Sequence, residues 1–257
     1  MASSQANPQG RRNLEAAYTV TGEKMEEILS IGKSSVCMLN ATSEDGVGFQ
    51  GSAGFYKLEQ NHWALITNNH VVQFTDNEFI SSITLTFELH MGFSLKMRAE
   101  YVVHVTTSRE LDATIIEITE EFMLKLKNLG VNFLKDKPAE VNQKVAFISY
   151  PNGAFSIDKG VIENVEGFTL SYYMGGDKGS SGAPILTWDF FAIGIHKWRG
   201  DDSGIVSLGA IRVGTSLKAI IEFHRSSSRS FTTIFKYFKI KFLHIVCNLH
   251  TYEWIRV

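Results

Sequence analysis

Gly179-Ser180-Ser181-Gly182-Ala183-Pro184 is a tight turn of small residues. It lies between two strand-like runs, Gly167 to Tyr173 before it and a second run beginning at Ile185-Leu186. A serine held in a glycine turn presents its hydroxyl and leaves neighbouring backbone N–H groups unclaimed. Those are the two requirements of an acyl-transfer nucleophile, an accessible oxygen and donors for the developing oxyanion. The same six residues also suit an ordinary Gly/Ser hairpin, so the choice rests on what else the chain carries.

Two upstream segments supply the missing partners. Trp63-Ala64-Leu65-Ile66-Thr67-Asn68-Asn69-His70-Val71-Val72 is an apolar run that stops at a polar turn containing His70. Asp112-Ala113-Thr114-Ile115-Ile116-Glu117-Ile118 is another strand-like run, opened by Asp112. Alone, His70 reads as a structural or surface histidine and Asp112 as a turn residue. Together with Ser181 they are a base, an orienting acid and a nucleophile in the chain order His, Asp, Ser. Asp76 and Glu78 rival Asp112 on spacing, but neither leads directly into a D-x-x-ϕ-ϕ run. Ser180 rives as nucleophile with Ser181, and the Ser-Gly-Ala-Pro register favours Ser181.

These three motifs, in this order, resemble the chymotrypsin-like (trypsin-like) serine proteases, most closely the Deg/HtrA-like branch, over roughly residues 34–224. In that family a T-N-x-H-V segment supplies the base, a D-x-A segment the acid and a G-x-S-G-G-P turn the nucleophile. The resemblance implies a catalytic triad of His70, Asp112 and Ser181, with the backbone N–H groups of Gly179 and Ser181 as oxyanion hole. Two departures stand out. Ser180 occupies the place where secreted trypsins carry an Asp that pairs with a new N-terminus, so activation by that route is not expected. Ala183 takes the place of the second motif glycine.

The resemblance also bears on specificity. Gly194-Ile195-His196 follows the serine at the distance where the family builds a wall of the substrate pocket. A G-ϕ-H element there looks like the picornavirus cysteine proteases of the same fold, whose histidine reads a P1 Gln; glutamate-cutting bacterial serine proteases also place a histidine there. Gly175, six residues before Ser181, is not an Asp, which disfavours Arg/Lys at P1. The expected substrate is a polypeptide with Gln or Glu at P1. The alternative for His196 is a strand residue facing solvent or core.

The remaining residues bound the architecture. Strand signals fall in two groups of about six, which fit an all-β pair of six-stranded antiparallel barrels with short helices. The expected division is a flexible arm and short helix over 1–33 and a first barrel with His70 and Asp112 over 34–130. A linker follows over 131–142, then a second barrel with Ser181 over 143–224 and a basic-aromatic tail over 225–257. Within these, Glu23–Ile31 reads as a helix stopped by Gly32, Phe93–Val105 as one long strand, and Thr119–Gly130 as a helix capped by Thr119. Gly204–Arg212 reads as a strand and Thr215–His224 as a closing helix. The tail interleaves Phe231, Phe235, Tyr237, Phe238 and Phe242 with Lys236, Lys239 and Lys241. It reads either as a surface for a partner or anionic membrane, or as an added element without a role.

A formal net charge of -2 implies neither a nucleic-acid nor a membrane partner. Two cysteines, Cys37 and Cys247, make no disulfide framework, and residues 1–12 hold no apolar core of a signal peptide. The expectation is an intracellular protein, cytoplasmic or nuclear, without a membrane span. No cofactor is expected. No metal is expected either, since His62, His90, His104, His224, His244 and His250 lack ligand spacing. The oligomeric state is open. The competing functional class is a catalytically silent protease-fold module that binds a peptide in the same cleft.

Overall fold

The computed structural model describes residues 21–42, 46–59, 62–72, 82–88, 93–173, 179–197 and 211–227. Gly175, Asp76, Glu78, Cys247, the arm up to residue 20 and the tail from residue 228 onward lie outside the described residues.

The first group of strands is β1 (Val36–Thr42), β2 (Gly48–Glu59), β3 (His62–Thr67), β4 (Ser82–Phe87), β5 (Phe93–Met97), β6 (Val102–Ser108) and β7 (Ala113–Ile118). They pair antiparallel in the order β5-β4-β1-β2-β3-β7-β6. The second group is β8 (Lys135–Asp136), β9 (Lys144–Ser149), β10 (Ser156–Glu166), β11 (Thr169–Tyr173), β12 (Pro184–Thr187), β13 (Phe191–Lys197) and β14 (Ile211–Ser216). Here the order β12-β9-β10-β11-β14-β13 is closed by a β12–β13 pairing, and β8 adds in parallel outside β13. Closure removes the open edges that an isolated sheet would expose. The protein is therefore the expected all-β double barrel.

Each barrel has its own apolar filling. Phe55, Leu65, Leu85, Ile116 and Phe122 are buried in the first, and Phe147, Ile162, Tyr172, Ile185 and Ile193 in the second. Burying each such side chain stabilises the fold by about 1.5–3 kcal/mol relative to exposure.

Three element boundaries differ from the sequence reading. The stretch 93–105 is not one strand: a 3-10 turn over Ala99–Tyr101 separates β5 from β6. The buried Tyr101 ring stacks on Phe122 at 4.6 Å, and the turn delivers it there. Helix α1 (Gly22–Ser35) does not stop at Gly32. Gly32 is instead its point of contact, since a Cβ there would lie 2.6 Å from Ile148 Cδ1 on β9. Thr215 and Ser216 belong to β14, where Thr215 pairs with Ile195 and Thr169; helix follows only over 217–227. Of the expected strand 204–212, residues up to 210 lie outside the described ones.

The insert helix forms as its sequence predicts. Thr119 Oγ1 accepts a hydrogen bond from Phe122 N–H at 3.3 Å, and Glu120 and Glu121 sit in the first turn at the positive end of the helix dipole. The helix spans Glu120–Asn128 and buries Phe122, Met123 and Leu126. Truncating Phe122 to Ala should cost about 3–5 kcal/mol in denaturant unfolding. Leu124, exposed on the same helix, should cost less than about 0.5 kcal/mol on the same change.

Candidate active site

His70 sits on α2, the short helical turn Asn69–Val72 that follows directly on β3. β3 is buried from Ala64 to Thr67, and the chain turns where the apolar run ends at Asn68. Asp112 lies across the sheet at the entrance to β7, in the left-handed backbone region with φ 50. Asp is one of the few non-glycine residues that tolerates that conformation. Its backbone N–H donates to Arg109 O at 3.3 Å, closing the turn. Next to it, Leu111 O accepts from Thr215 Oγ1 at 2.8 Å, which ties this turn to the second barrel.

The two residues meet through both carboxylate oxygens. Asp112 Oδ2 accepts from His70 Nδ1 at 2.8 Å and Oδ1 accepts from the His70 backbone N–H at 3.0 Å. Asn68 Nδ2 donates to Asp112 O at 2.8 Å, so three bonds hold the pair in register. A carboxylate only accepts, so the imidazole proton is on Nδ1 and Nε2 carries the lone pair. The Asp112 side chain is 11% exposed and that of His70 44%. The carboxylate is shielded while the imidazole reaches solvent.

The serine turn belongs to the second barrel but rests on the first. Ser181 O accepts from Ser52 N–H on β2 at 2.7 Å. Gly182 has φ 82, and a Cβ there would lie 2.2 Å from both Ser52 O and Thr67 Oγ1 and 3.1 Å from Asn68 N. Only glycine fits this approach. The Ser181 turn is thus pressed against the residues that lead into His70. Val71 closes the same contact: a Cβ on Gly51 would meet Val71 methyls at 2.7 Å and Ser181 O at 2.9 Å. Gly179 has φ 99, packed against Tyr150 O and Asn152 N. Among the described residues no acceptor bonds the N–H of Gly179 or of Ser181, and no hydrogen bond joins the Ser181 hydroxyl to His70. Ser180 is fully buried, with its hydroxyl on Ser149 Oγ at 3.3 Å, whereas Ser181 keeps 6% exposure.

His196 lies on β13, opposite Gly214 of β14. Its backbone holds the serine turn on both sides: its O accepts from Gly182 N–H at 3.0 Å and its N–H donates to Ala183 O at 2.8 Å. The ring is fully buried, 4.5 Å from the Phe147 ring, with Nδ1 on the Tyr172 hydroxyl at 2.5 Å. Among the described residues Nε2 is buried without a hydrogen-bond partner. Loss of water pushes the ring's pKa down to about 3, and the positive charge of Arg212 adds to the shift. His196 is thus a neutral core histidine rather than a solvent-facing strand residue. Gly194, two residues before it, faces Leu170 and Thr215 O with no room for a Cβ.

Thr67 and Asn68, inside the His70 motif, hold this site together with Ser52 and Tyr172, which lie outside all three motifs. Among the described residues, no group of three or more His, Cys, Asp or Glu side chains could hold a metal ion.

No protein-family model and no curated protein sequence matches this chain. Solved structures do. The HtrA-type protease AlgW, solved with a tripeptide, superposes with a TM-score of 0.58 at 20% identity, over 78% of this chain and 62% of that one. The chain has the HtrA-type protease fold. A serine endoprotease from Yersinia pestis gives a TM-score of 0.57 at 12% identity, over 79% of this chain and 65% of that one. The active form of the Rv3671c protease from M. tuberculosis gives 0.55 at 14%, over 77% and 83%. The chain spans less than two thirds of the length of the first two, and what it shares with all three is the HtrA-type double barrel.

His196 makes stability depend on pH. Its folded-state pKa is lowered, so its contribution is complete above its unfolded value near 6.5 and is lost as pH falls toward about 3. Over that window the unfolded chain binds a proton that the native core excludes. Urea unfolding of the wild type should weaken from pH 7 to pH 4 more steeply than that of His196→Gln, whose side chain does not titrate. Equal slopes for the two proteins would contradict a neutral buried ring.

Proposed function

We propose that this chain is a serine endopeptidase that cleaves polypeptides with Ser181 as nucleophile, His70 as general base and Asp112 as the acid that orients it. The observation that carries the reading is the two-point bond from Asp112 to His70, set beside the turn that bears Ser181. With Nδ1–H held by the carboxylate, Nε2 takes the Ser181 proton as Oγ bonds to the scissile carbonyl carbon. The carbonyl oxygen becomes an oxyanion facing the N–H groups of Gly179 and Ser181. The imidazolium then gives its proton to the leaving amine. Water hydrolyses the acyl-enzyme by the same steps, with His70 again the base. The solved neighbours are named as proteases, and one was solved with a tripeptide, which supports a peptide substrate.

The finer reading is a P1 preference for glutamine, with glutamate second. His196 lies behind the serine turn with Nδ1 engaged by Tyr172 and Nε2 unpaired. A neutral imidazole can hydrogen-bond an amide, but it supplies no charge to offset burial of a carboxylate. The low cysteine content supports a reducing, intracellular setting. No helix among the described residues is long and apolar enough to cross a membrane.

A fluorophosphonate should label Ser181 in the wild type and fail to label His70→Ala. In steady-state assays Ser181→Ala should lower kcat by roughly six orders of magnitude, and Asp112→Asn by about ten-thousandfold through the wrong imidazole tautomer. Persistence of cleavage in Ser181→Ala would remove the serine mechanism; peptide binding without any cleavage by the wild type would leave the silent binding module. A peptide-library profile should show Gln at P1, lost in His196→Ala. An apolar P1 that His196→Ala leaves unchanged would end the specificity reading.

A further inference from the structure

Ser52 stands on β2 of the first barrel, opposite Met38 of β1, and is fully buried. All of its hydrogen-bonding groups are engaged. Its backbone N–H donates to Ser181 O at 2.7 Å. Its hydroxyl donates to Gly179 O at 3.0 Å and accepts from the Tyr150 backbone N–H at 3.0 Å. Its carbonyl accepts from Thr67 Oγ1 at 2.8 Å. One side chain and one peptide unit therefore tie together β3 just before His70, the Tyr150-Pro151 turn of the second barrel, and both ends of the Gly179–Ser181 turn.

The two carbonyls bound by Ser52 belong to the two residues whose N–H groups are the oxyanion donors of the proposed reaction. Anchoring Gly179 O fixes the peptide between Gly179 and Ser180, and anchoring Ser181 O the peptide between Ser181 and Gly182; the Ser181 N–H belongs to the one peptide held between these two planes. Gly179 has φ 99, where an L side chain would be strained, and a Cβ would lie 2.7 Å from Tyr150 O. Its glycine freedom lets the turn adopt this shape but does not hold it there. Something must, because an oxyanion donor works only when it is already aimed. The Ser52 hydroxyl is placed to do it, since it bridges Gly179 to Tyr150, the other residue packed on that glycine.

We infer that Ser52 is a positioning residue that preorganises the oxyanion turn from the opposite barrel, through its hydroxyl bridge between Tyr150 N–H and Gly179 O. The inference rests on the serine-protease reading above for its catalytic consequence. Its geometric part, that the hydroxyl orders the turn, stands apart from that reading.

The test uses the full chain as wild type, Ser52→Ala and Ser52→Cys, the last nearly isosteric but with a weaker donor. Two readouts are taken. Amide hydrogen exchange followed by NMR should show Tyr150 N–H losing protection at least tenfold in Ser52→Ala, less in Ser52→Cys, with β10 and β11 unchanged. Equal protection at Tyr150 in wild type and Ser52→Ala would overturn the inference whether or not the chain cleaves peptides. In the second readout, kcat should fall roughly ten- to a hundredfold in Ser52→Ala with KM within about twofold, the pattern of a lost transition-state interaction. A peptide aldehyde inhibitor should weaken by the same factor. A variant with lower thermal stability but wild-type kcat and inhibitor affinity would show a merely structural serine and overturn the inference. If the wild type is not labelled by a fluorophosphonate, the protease reading fails, and the exchange result still decides what Ser52 holds.

Discussion

The approach of the 179–183 turn to β2 and β3 is the constraint on which this molecule depends. Two barrels with separate cores have no intrinsic reason to meet in one orientation. Here they meet through backbone: Ser181 O on Ser52 N–H, and Gly182 with no space between it and Ser52, Thr67 and Asn68. Contacts of this kind admit little tolerance, because a backbone carbonyl cannot swing aside as a side-chain tip can. Any shift of one barrel by the width of a methyl group would break the Ser52 bond or drive Gly182 into Thr67.

That docking explains the arrangement of charge around His70. The imidazole is held from the first barrel alone, by Asp112 on the far side of Asn68. The serine turn is held by β13 from behind, through the His196 backbone, and by Ser52 in front. Neither half needs the other's reactive group for its own order. Among the described residues the Ser181 hydroxyl has no hydrogen-bond partner, and the order of the turn does not rest on one. The price is carried elsewhere, by a histidine stripped of water in the second core and an Asp in a left-handed turn.

Much of this was legible in the residues, for identifiable reasons. Strand alternation, turn chemistry and three short motifs point to two barrels, and the structure has them. The motifs also mark which turns converge, because a Gly with no alternative, such as Gly182, is visible in sequence as part of a glycine-serine turn. What could not be read follows from tertiary context. The break between β5 and β6 is set by where Tyr101 finds Phe122. Gly32 looks like a helix stop and is a contact with Ile148. The burial of His196 depends on Phe147 and Tyr172, which lie on other strands. Ser52 is a serine in a bulged, glycine-flanked strand, with nothing in its type or spacing to separate it from a surface residue.

Ser52 and His196 reveal a common logic. Each grips the serine turn through its backbone; the Ser52 hydroxyl also bonds Gly179 O while bridging to Tyr150, whereas the His196 side chain faces Tyr172. The turn is thus gripped on both sides by main-chain bonds, to which Ser52 adds one side-chain bond. The two grips come from opposite sides, β2 of the first barrel and β13 of the second, so neither barrel can shift without straining the turn.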